Sequence, residues 1–433
     1  MRYLSLILSF TLVGSVHAQL KWHTPPEAAC HAFYTDAPHI AVRYTVKQAA
    51  DTVALYRIDS GGEWEACPGV HSRGDTLLFS YHSTRKDKYH HRGFEYRLYL
   101  PPRGVVEWLE VGIPEANELT VIPPSPEKPL IVYGADCPAI SWGEIRRSLD
   151  YPLLFPASPE EVGEREARLY LFTDPDSCAH VRHAVAQIRA KGQAAPILFI
   201  DRSSTAAAVE KQIRDILRIP VGTVSTTIPV TQRREPDNYE WRKRHDEILS
   251  LNRKNPPRAV ILGNSITHFW GGEPAGPRRN GTESWNAYMQ PLGFRNLGYG
   301  WDRIENVLWR VYHDELDGYE AERVILMIGT NNMGICPDDE IVDGLRFLLS
   351  AISERQPKAT IKVIGILPRR DQEKWVNRIN LRIEEMTKKE GHIFQNAGNI
   401  LLNTDGKIDE SLFLDGLHPN EKGYDLLGIL IAE

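Results

Sequence analysis

From Leu130 to the C-terminus, short apolar runs alternate with segments of helical periodicity, and this alternation is the strongest constraint on what the chain can fold into. The runs at 130–133, 168–172 and 196–200 carry no polar face, so they read as strands covered on both sides, with helices over 176–191 and 206–217. The pattern resumes at 258–262, 294–297, 324–328 and 361–367, with a shorter run at 392–395. Between these runs Ile341, Val342, Leu345, Leu348, Leu349 and Ile352 recur at helical spacing, which predicts an amphipathic helix over 338–356 lying on the sheet. Strands that alternate with helices predict a parallel α/β architecture.

The N-terminal part follows a different rule. Runs at 39–44, 52–58, 76–81, 94–100 and 105–113 are rich in β-branched and aromatic residues, and Gly61-Gly62 and Pro101-Pro102 punctuate them. Strands at this spacing predict an antiparallel β-sandwich over 19–125. Pro123-Pro124-Ser125-Pro126 then reads as a linker, because proline cannot donate to a sheet ladder. A smaller α/β unit over 128–222 and a second polar stretch, 226–238, precede a longer α/β domain over 231–433.

Met1-Arg2, an apolar run from Leu4 to Val16 and the small residues of Val16-His17-Ala18 together predict a signal peptide over 1–18, cleaved near Ala18. The mature chain is therefore expected to be secreted or periplasmic. No later run approaches the roughly 20 apolar residues of a membrane-spanning helix. Lys and Arg number 51 against 57 Asp and Glu, a net charge of −6, and no basic cluster is visible, which argues against nucleic acid as a partner. Cys30, Cys67, Cys137, Cys178 and Cys336 show no C-x-x-C spacing, so neither a zinc site nor a disulfide scaffold is indicated. Cys30 could pair with Cys67 and Cys137 with Cys178, or these could be buried thiols. No cofactor and no metal are implied.

In open α/β sheets ligands bind beyond the carboxyl ends of the strands. After the run at 258–262 comes Gly263-Asn264-Ser265-Ile266-Thr267, a serine on a tight strand-to-helix turn. After the run at 324–328 comes Gly329-Thr330-Asn331-Asn332, a source of side-chain amides, and near the C-terminus Asp415-Gly416-Leu417-His418-Pro419 offers a carboxylate and an imidazole. Acyl transfer needs a hydroxyl, a base for its proton, a carboxylate to fix the tautomer of that base, and donors for the oxyanion. The α/β-hydrolase alternative needs a G-x-S-x-G elbow, and Thr267 stands where its second glycine belongs.

These blocks resemble those of the SGNH or GDSL hydrolases, and residues 238–433 are most similar to the branch that contains the platelet-activating-factor acetylhydrolase catalytic subunits. Asn264 replaces that family's usual aspartate beside the nucleophile. The second block reads Asn296-Leu297-Gly298-Tyr299-Gly300-Trp301-Asp302, with Trp301 where the family usually has a glycine. The resemblance implies a flavodoxin-like three-layer α/β/α domain with Ser265 as nucleophile, His418 as base and Asp415 as its orienting group. It also implies an oxyanion hole from the N–H of Ser265, a backbone N–H at Gly300 or Trp301, and the Asn331 amide. A histidine base works only when neutral, so activity should rise with pH through the ordinary imidazole range near ~6.5.

Residues 130–136 can be laid on 260–265, with Asp136 at the nucleophile position, which suggests that 128–222 is a shortened copy that has lost its reaction centre; a generic α/β insertion is the alternative. His268, Phe269 and Trp270 either line a substrate subsite or pack the first turn of a helix. Arg369 and Arg370 end a strand on the catalytic side, where they could meet an acidic substrate or form a solvated charge pair. His90-His91 could bind a metal, and Trp22, Trp64 and Trp108 could form a carbohydrate platform, though aromatic residues in a sandwich pack its core by default. The expected activity is a secreted serine esterase that removes short acyl groups, acetyl above all, from an acylated small molecule or polysaccharide. A lipid esterase and a non-catalytic glycan-binding protein are the alternatives. The acetyl preference follows from the resemblance, and the glycan preference from secretion with an attached β-domain.

Overall fold

The computed structural model describes residues 126–432 apart from 136, 138, 157 and 175–178, and before them ten strands with Asp36, Ala37, Trp64, Gly93 and Ala116. The expected signal peptide, His90-His91, Asp136 and Cys178 lie outside the described residues, as do the side chains of Cys30, Trp22 and Trp108. Trp64 is buried and offers no platform.

The N-terminal strands are β1 (Lys21–His23), β2 (Cys30–Thr35), β3 (His39–Val46), β4 (Val53–Ile58), β5 (Glu65–Cys67), β6 (Gly69–Arg73), β7 (Thr76–Ser80), β8 (Phe94–Tyr99), β9 (Val106–Ile113) and β10 (Leu119–Ile122). They form two five-stranded sheets in the orders β1-β9-β3-β7-β6 and β10-β2-β8-β4-β5, and the described pairings are antiparallel. Ile40 and Val42 on β3 and Tyr96 and Leu98 on β8 stand two residues apart, so each pair faces the same way into a shared core. Phe33 and Phe79 complete it.

Residues from Pro123 onward belong to a second compact unit that contains two parallel sheets. The first consists of β11 (Leu130–Gly134), β12 (Leu153–Leu154), β13 (Leu169–Thr173) and β14 (Ile197–Ile200) in the order β12-β11-β13-β14. Its helices are α1 (Trp142–Leu149), α2 (Pro159–Val162), α3 (Ala179–Ala190) and α4 (Ala206–Leu217).

The C-terminal part runs α5 (Trp241–Lys254), β15 (Ala259–Gly263), α6 (Ser265–His268), α7 (Thr282–Ser284), β16 (Phe294–Gly298), α8 (Ile304–Tyr312), β17 (Arg323–Met327), α9 (Asp338–Arg355), β18 (Thr360–Ile364), α10 (Glu373–Lys389), β19 (Ile393–Gln395) and α11 (Glu421–Ala432). Its strands are parallel in the order β16-β15-β17-β18-β19. Alternation along the strands divides the core: Val260, Leu262, Val324 and Leu326 face α5, α8, α9 and α10, whereas Ile261, Ile325 and Met327 face α6 and α11. The result is the expected three-layer α/β/α domain. Among the described residues no helix is long and apolar enough to cross a membrane.

Two features differ from the reading of the sequence alone. The core of the C-terminal sheet continues without a break into Leu130, Val132, Leu169 and Leu171 of the middle sheet. The polar stretch 226–238 is no exposed connection either, since Thr226, Gln232, Arg233 and Arg234 are buried.

Candidate active site

β16 and β17 lie on opposite sides of β15, so its carboxyl end is the point where the connections diverge, the place at which open α/β sheets bind their ligands. Ser265 sits there as the first residue of α6. Gly263 makes the turn possible: a Cβ at that position would stand 2.1 Å from Thr267 Oγ1 and 2.7 Å from the carbonyl of Met327. Asn264 caps the helix, its Oδ1 accepting the N–H of Ile266 at 2.9 Å. An amide oxygen accepts this bond as a carboxylate does, so asparagine at this position preserves the cap. The N–H of Ser265 has no acceptor among the described residues, as expected at a helix start.

The serine hydroxyl meets the imidazole of His418 across the sheet edge, with Oγ donating to Nε2 at 2.9 Å. On the far side of the ring Nδ1–H donates to Asp415 Oδ2 at 2.7 Å. The other carboxylate oxygen, Oδ1, accepts the backbone N–H of Leu417 at 3.0 Å and of His418 at 2.8 Å. Gly416, at φ 80°, lets the chain reverse inside this loop. Burial raises the Asp415 pKa, but the His418 N–H, the imidazole and the Leu417 N–H outweigh it and hold the carboxyl below its ordinary value. The His418 side chain is 15% exposed against 48% for Asp415. Phe269 lies 5.2 Å from the His418 ring, centre to centre.

After β17, Asn331 presents its amide to the same end of the sheet. One N–H donates to the carbonyl of Asp302 at 3.0 Å, which fixes the plane of the amide. Its neighbour Asn332 faces inward, accepting from the N–H of Ile304 and donating to Glu305 at 2.9 Å.

The loop after β16 decides between the two backbone donors. The N–H of Gly300 donates to Nδ1 of His268 at 3.0 Å, an imidazole that burial, with Arg244 and Arg310 nearby, keeps neutral. Gly300 is therefore committed inward, and the expectation that its N–H donates to an oxyanion is corrected. Trp301 adopts φ 63°, the left-handed region in which a residue with a Cβ costs about 1–2 kcal/mol. Glycine is the easier residue there.

The other sequence-derived candidates separate. Trp270 is fully buried, with its Nε1–H on Ser284 Oγ at 3.2 Å and its ring beside Trp285 and Tyr424, so the substrate-contact reading is corrected to core packing. Arg370 takes the charge-pair alternative: its guanidinium makes two 2.7 Å bonds to the exposed Glu410 and a 3.3 Å bond to the carbonyl of Asp415, so it braces the loop that carries Asp415 and His418. Arg369 stays at the rim, half-buried beside Thr330, the neighbour of Asn331.

Several residues hold the site together in roles that the sequence does not announce, Asn296 and Asp302 among them although both lie in the second block. Asn296 ties β16 to the nucleophile turn, donating to the carbonyls of Thr267 at 2.7 Å and Gly271 at 2.6 Å. Tyr424 donates to the carbonyl of Ile266 at 2.7 Å. Asp302 is fully buried and accepts from Trp241 at 2.7 Å, Gln232 at 3.1 Å and Arg310 at 3.0 Å. Burial raises its pKa to about 6 against the pull of Arg310. The phenol of Tyr239 donates to the carbonyl of Gly300 at 2.7 Å.

With this geometry in hand, the likeness to known proteins is specific in two places. Residues 261–426 match the GDSL-like Lipase/Acylhydrolase family, and residues 28–119 match GxDLY, the N-terminus of Esterase_SGNH_hydro-type. The chain is similar to platelet-activating factor acetylhydrolase IB subunit alpha1 of Bos taurus, 28% identical over 189 residues that make up 42% of this chain and 77% of the relative. The human alpha1 subunit is 27% identical over 189 residues, 42% of this chain and 78% of the relative. Among solved structures it is similar to a GDSL-like lipase from Bacteroides thetaiotaomicron, with TM-score 0.34 and 21% identity over 41% of this chain and 87% of the other. A catalytic mutant of Axe2, an acetylxylan esterase from Geobacillus stearothermophilus, has TM-score 0.33 and 18% identity over 41% and 93%.

Proposed function

We propose, for a chain that belongs over residues 261–426 to the GDSL-like lipase/acylhydrolase family, that it is a secreted serine esterase working through Ser265, His418 and Asp415 on short acyl esters, acetyl first, carried by carbohydrate. The observation that carries the triad is the continuous line of bonds from Ser265 Oγ to His418 Nε2 and from His418 Nδ1 to Asp415. In that arrangement the tautomer is set, with a hydrogen on Nδ1 and a bare Nε2 facing the hydroxyl.

The chemistry then runs in two halves. Ser265 Oγ attacks the ester carbonyl while its proton passes to His418 Nε2, and the imidazolium so formed is balanced by Asp415. The negative oxygen of the tetrahedral intermediate is met by the N–H groups of Ser265 and Trp301 and by the Asn331 amide. Collapse breaks the bond to the alcohol, which leaves with the proton from His418. Water attacks the acyl-serine with His418 again accepting a proton, and the second collapse releases the acid and returns the proton to Ser265.

The acetyl preference is supported by the names of the curated relatives, which are acetylhydrolases. The carbohydrate and export parts rest on the leader-like residues 1–18 and on the β-domain that precedes the catalytic one. Those relatives are named for platelet-activating factor, which favours a lipid ester as the second reading. Ser265→Ala should abolish release of p-nitrophenol from p-nitrophenyl acetate, and wild-type turnover in that variant would refute the triad. Acetate release from acetylated polysaccharides, set against acetylated and long-chain lipid esters, separates the substrate readings.

A further inference from the structure

We propose that Gln232, in the polar stretch 226–238, and Tyr239, just after it, are positioning residues that aim the oxyanion-binding N–H of Trp301. The inference rests on the triad reading above and extends it to residues outside the family blocks.

The observation is the treatment of one peptide group. The carbonyl oxygen of Gly300 accepts two hydrogen bonds, from Gln232 Nε2 at 2.9 Å and from Tyr239 Oη at 2.7 Å. In a trans peptide the carbonyl and the following N–H point in opposite directions, so pinning the Gly300 oxygen inward turns the Trp301 N–H outward. Two donors on a carbonyl also polarise the peptide, which strengthens its N–H as a donor. The next carbonyl, that of Trp301, accepts from Arg234 at 3.2 Å, and that of Asp302 accepts from Asn331 at 3.0 Å. Every carbonyl from Gly300 to Asp302 is thus held.

The clamp is itself fixed. Gln232 is buried, its amide also donates to Asp302 Oδ1 at 3.1 Å, and its oxygen accepts the N–H of Arg234 at 2.7 Å. The Tyr239 ring packs edge-on against His268, the residue that receives the Gly300 N–H. These contacts converge on a loop whose Trp301 sits in the left-handed region, a conformation that persists only where surrounding bonds over-determine it. Donors fixed in advance cost no reorganisation when the oxyanion forms, and that is what the clamp supplies.

The test uses Tyr239→Phe, Gln232→Met and the double variant in the full chain, with Ser265→Ala in parallel. Active serine is titrated to its end point with a fluorophosphonate, and kcat per titrated site and KM are measured on p-nitrophenyl acetate. The expected result is kcat per site down by roughly 10-fold in each single variant and about 10²-fold in the double, with KM within about 2-fold. A merely structural role would lower the titratable fraction and leave kcat per site unchanged, and that outcome overturns the proposal. So does an effect confined to KM. If the double variant fails to fold, Tyr239→Phe, which deletes one oxygen, carries the test alone. Turnover by Ser265→Ala would remove the triad reading beneath the proposal; an inert Ser265→Ala beside unchanged Tyr239→Phe and Gln232→Met removes the clamp only.

Discussion

Asp415→Asn is the most informative single change, because the two oxygens of this carboxylate do different jobs. Oδ1 accepts the backbone N–H groups of Leu417 and His418, and an asparagine oxygen can take over both bonds, so the loop keeps its shape. Oδ2 faces Nδ1–H of His418 at 2.7 Å, and in the variant an NH2 group stands in its place. Two donors then confront each other. The imidazole relieves the clash by moving its hydrogen to Nε2, the atom that must be bare to accept the proton of Ser265. The variant also loses the counter-charge to the imidazolium, which exists only once that proton has moved. At a charge separation of ~4 Å this attraction is about 4 kcal/mol at an effective dielectric of ~20 and about 1 kcal/mol in water. Asp415 is 48% exposed and His418 only 15%, so a value between these limits, ~2 kcal/mol, applies to the charge alone. With the tautomer penalty added, kcat should fall about 10²–10³-fold, toward the ~10⁴ found for the equivalent change at a buried triad. Initial rates on p-nitrophenyl acetate, normalised to fluorophosphonate-titrated sites, give the number, and thermal unfolding controls for the loop. A kcat within about 3-fold of wild type would refute the reasoning and mean that His418 is oriented without Asp415.

Asn331→Ala removes one oxyanion donor and should cost roughly 3 kcal/mol, or about 10² in kcat, whereas an effect confined to KM would reassign Asn331 to substrate binding. Trp301→Gly keeps the backbone N–H in a conformation glycine adopts freely, so kcat on p-nitrophenyl acetate should stay within about 3-fold; a 10²-fold loss would show that the indole is needed. His313 is buried against Trp309 and Tyr151, and burial lowers its pKa to about 4 despite the nearby Glu127 and Asp150 carboxylates. As pH falls from ~6.5 to ~4 the unfolded chain takes up a proton that the folded chain refuses, so this residue withdraws about 3 kcal/mol of stability across that window. In His313→Phe the ring stack remains and the withdrawal disappears, so denaturant unfolding at pH 7 and pH 4 should show the variant gaining about 3 kcal/mol on wild type; parallel pH curves would refute the assignment.

Much of this architecture was legible because the relevant signal is local. A run such as Val260-Ile261-Leu262 has no polar side, and only a strand buried on both faces accommodates it. Ser265 and the Asp415–His418 pair were legible as residue types at strand ends, although nothing in the sequence says that a hydroxyl and an imidazole 153 residues apart come within 2.9 Å. The choice between Gly300 and Trp301 turns on the direction of one peptide plane, which has no residue signature. Trp270 illustrates the same limit, since an indole beside a nucleophile reads identically whether it lines the crevice or lies under it. The stretch 226–238 was misread for a different reason. Its polarity suggests solvent, yet Gln232 and Arg234 are buried because their partners, Gly300, Trp301, Asp302 and Asn306, come 67 to 72 residues later. Buried polar groups satisfied at long range look, in sequence, like exposed ones.

The middle sheet shares its strand order with the C-terminal one. Its order β12-β11-β13-β14 repeats, strand for strand, the β16-β15-β17-β18 of the C-terminal sheet, which is what a duplicated unit requires. Where the C-terminal sheet presents Asn331 after its third strand, the middle one presents Thr173-Asp174. What the middle region does retain is packing onto α8, the helix that follows the oxyanion loop and whose residues are buried from Ile304 to Tyr312. Asp150 accepts the indole N–H of Trp309 at 2.8 Å, the Tyr151 hydroxyl donates to the carbonyl of Tyr312, and Arg168 pairs with Asp314 just beyond the helix. The same helix supplies Arg310, the ion partner of Asp302 beneath the loop. A helix with no solvent face cannot shed its cover without exposing apolar surface, so the middle unit is held in place by the requirements of the neighbouring one.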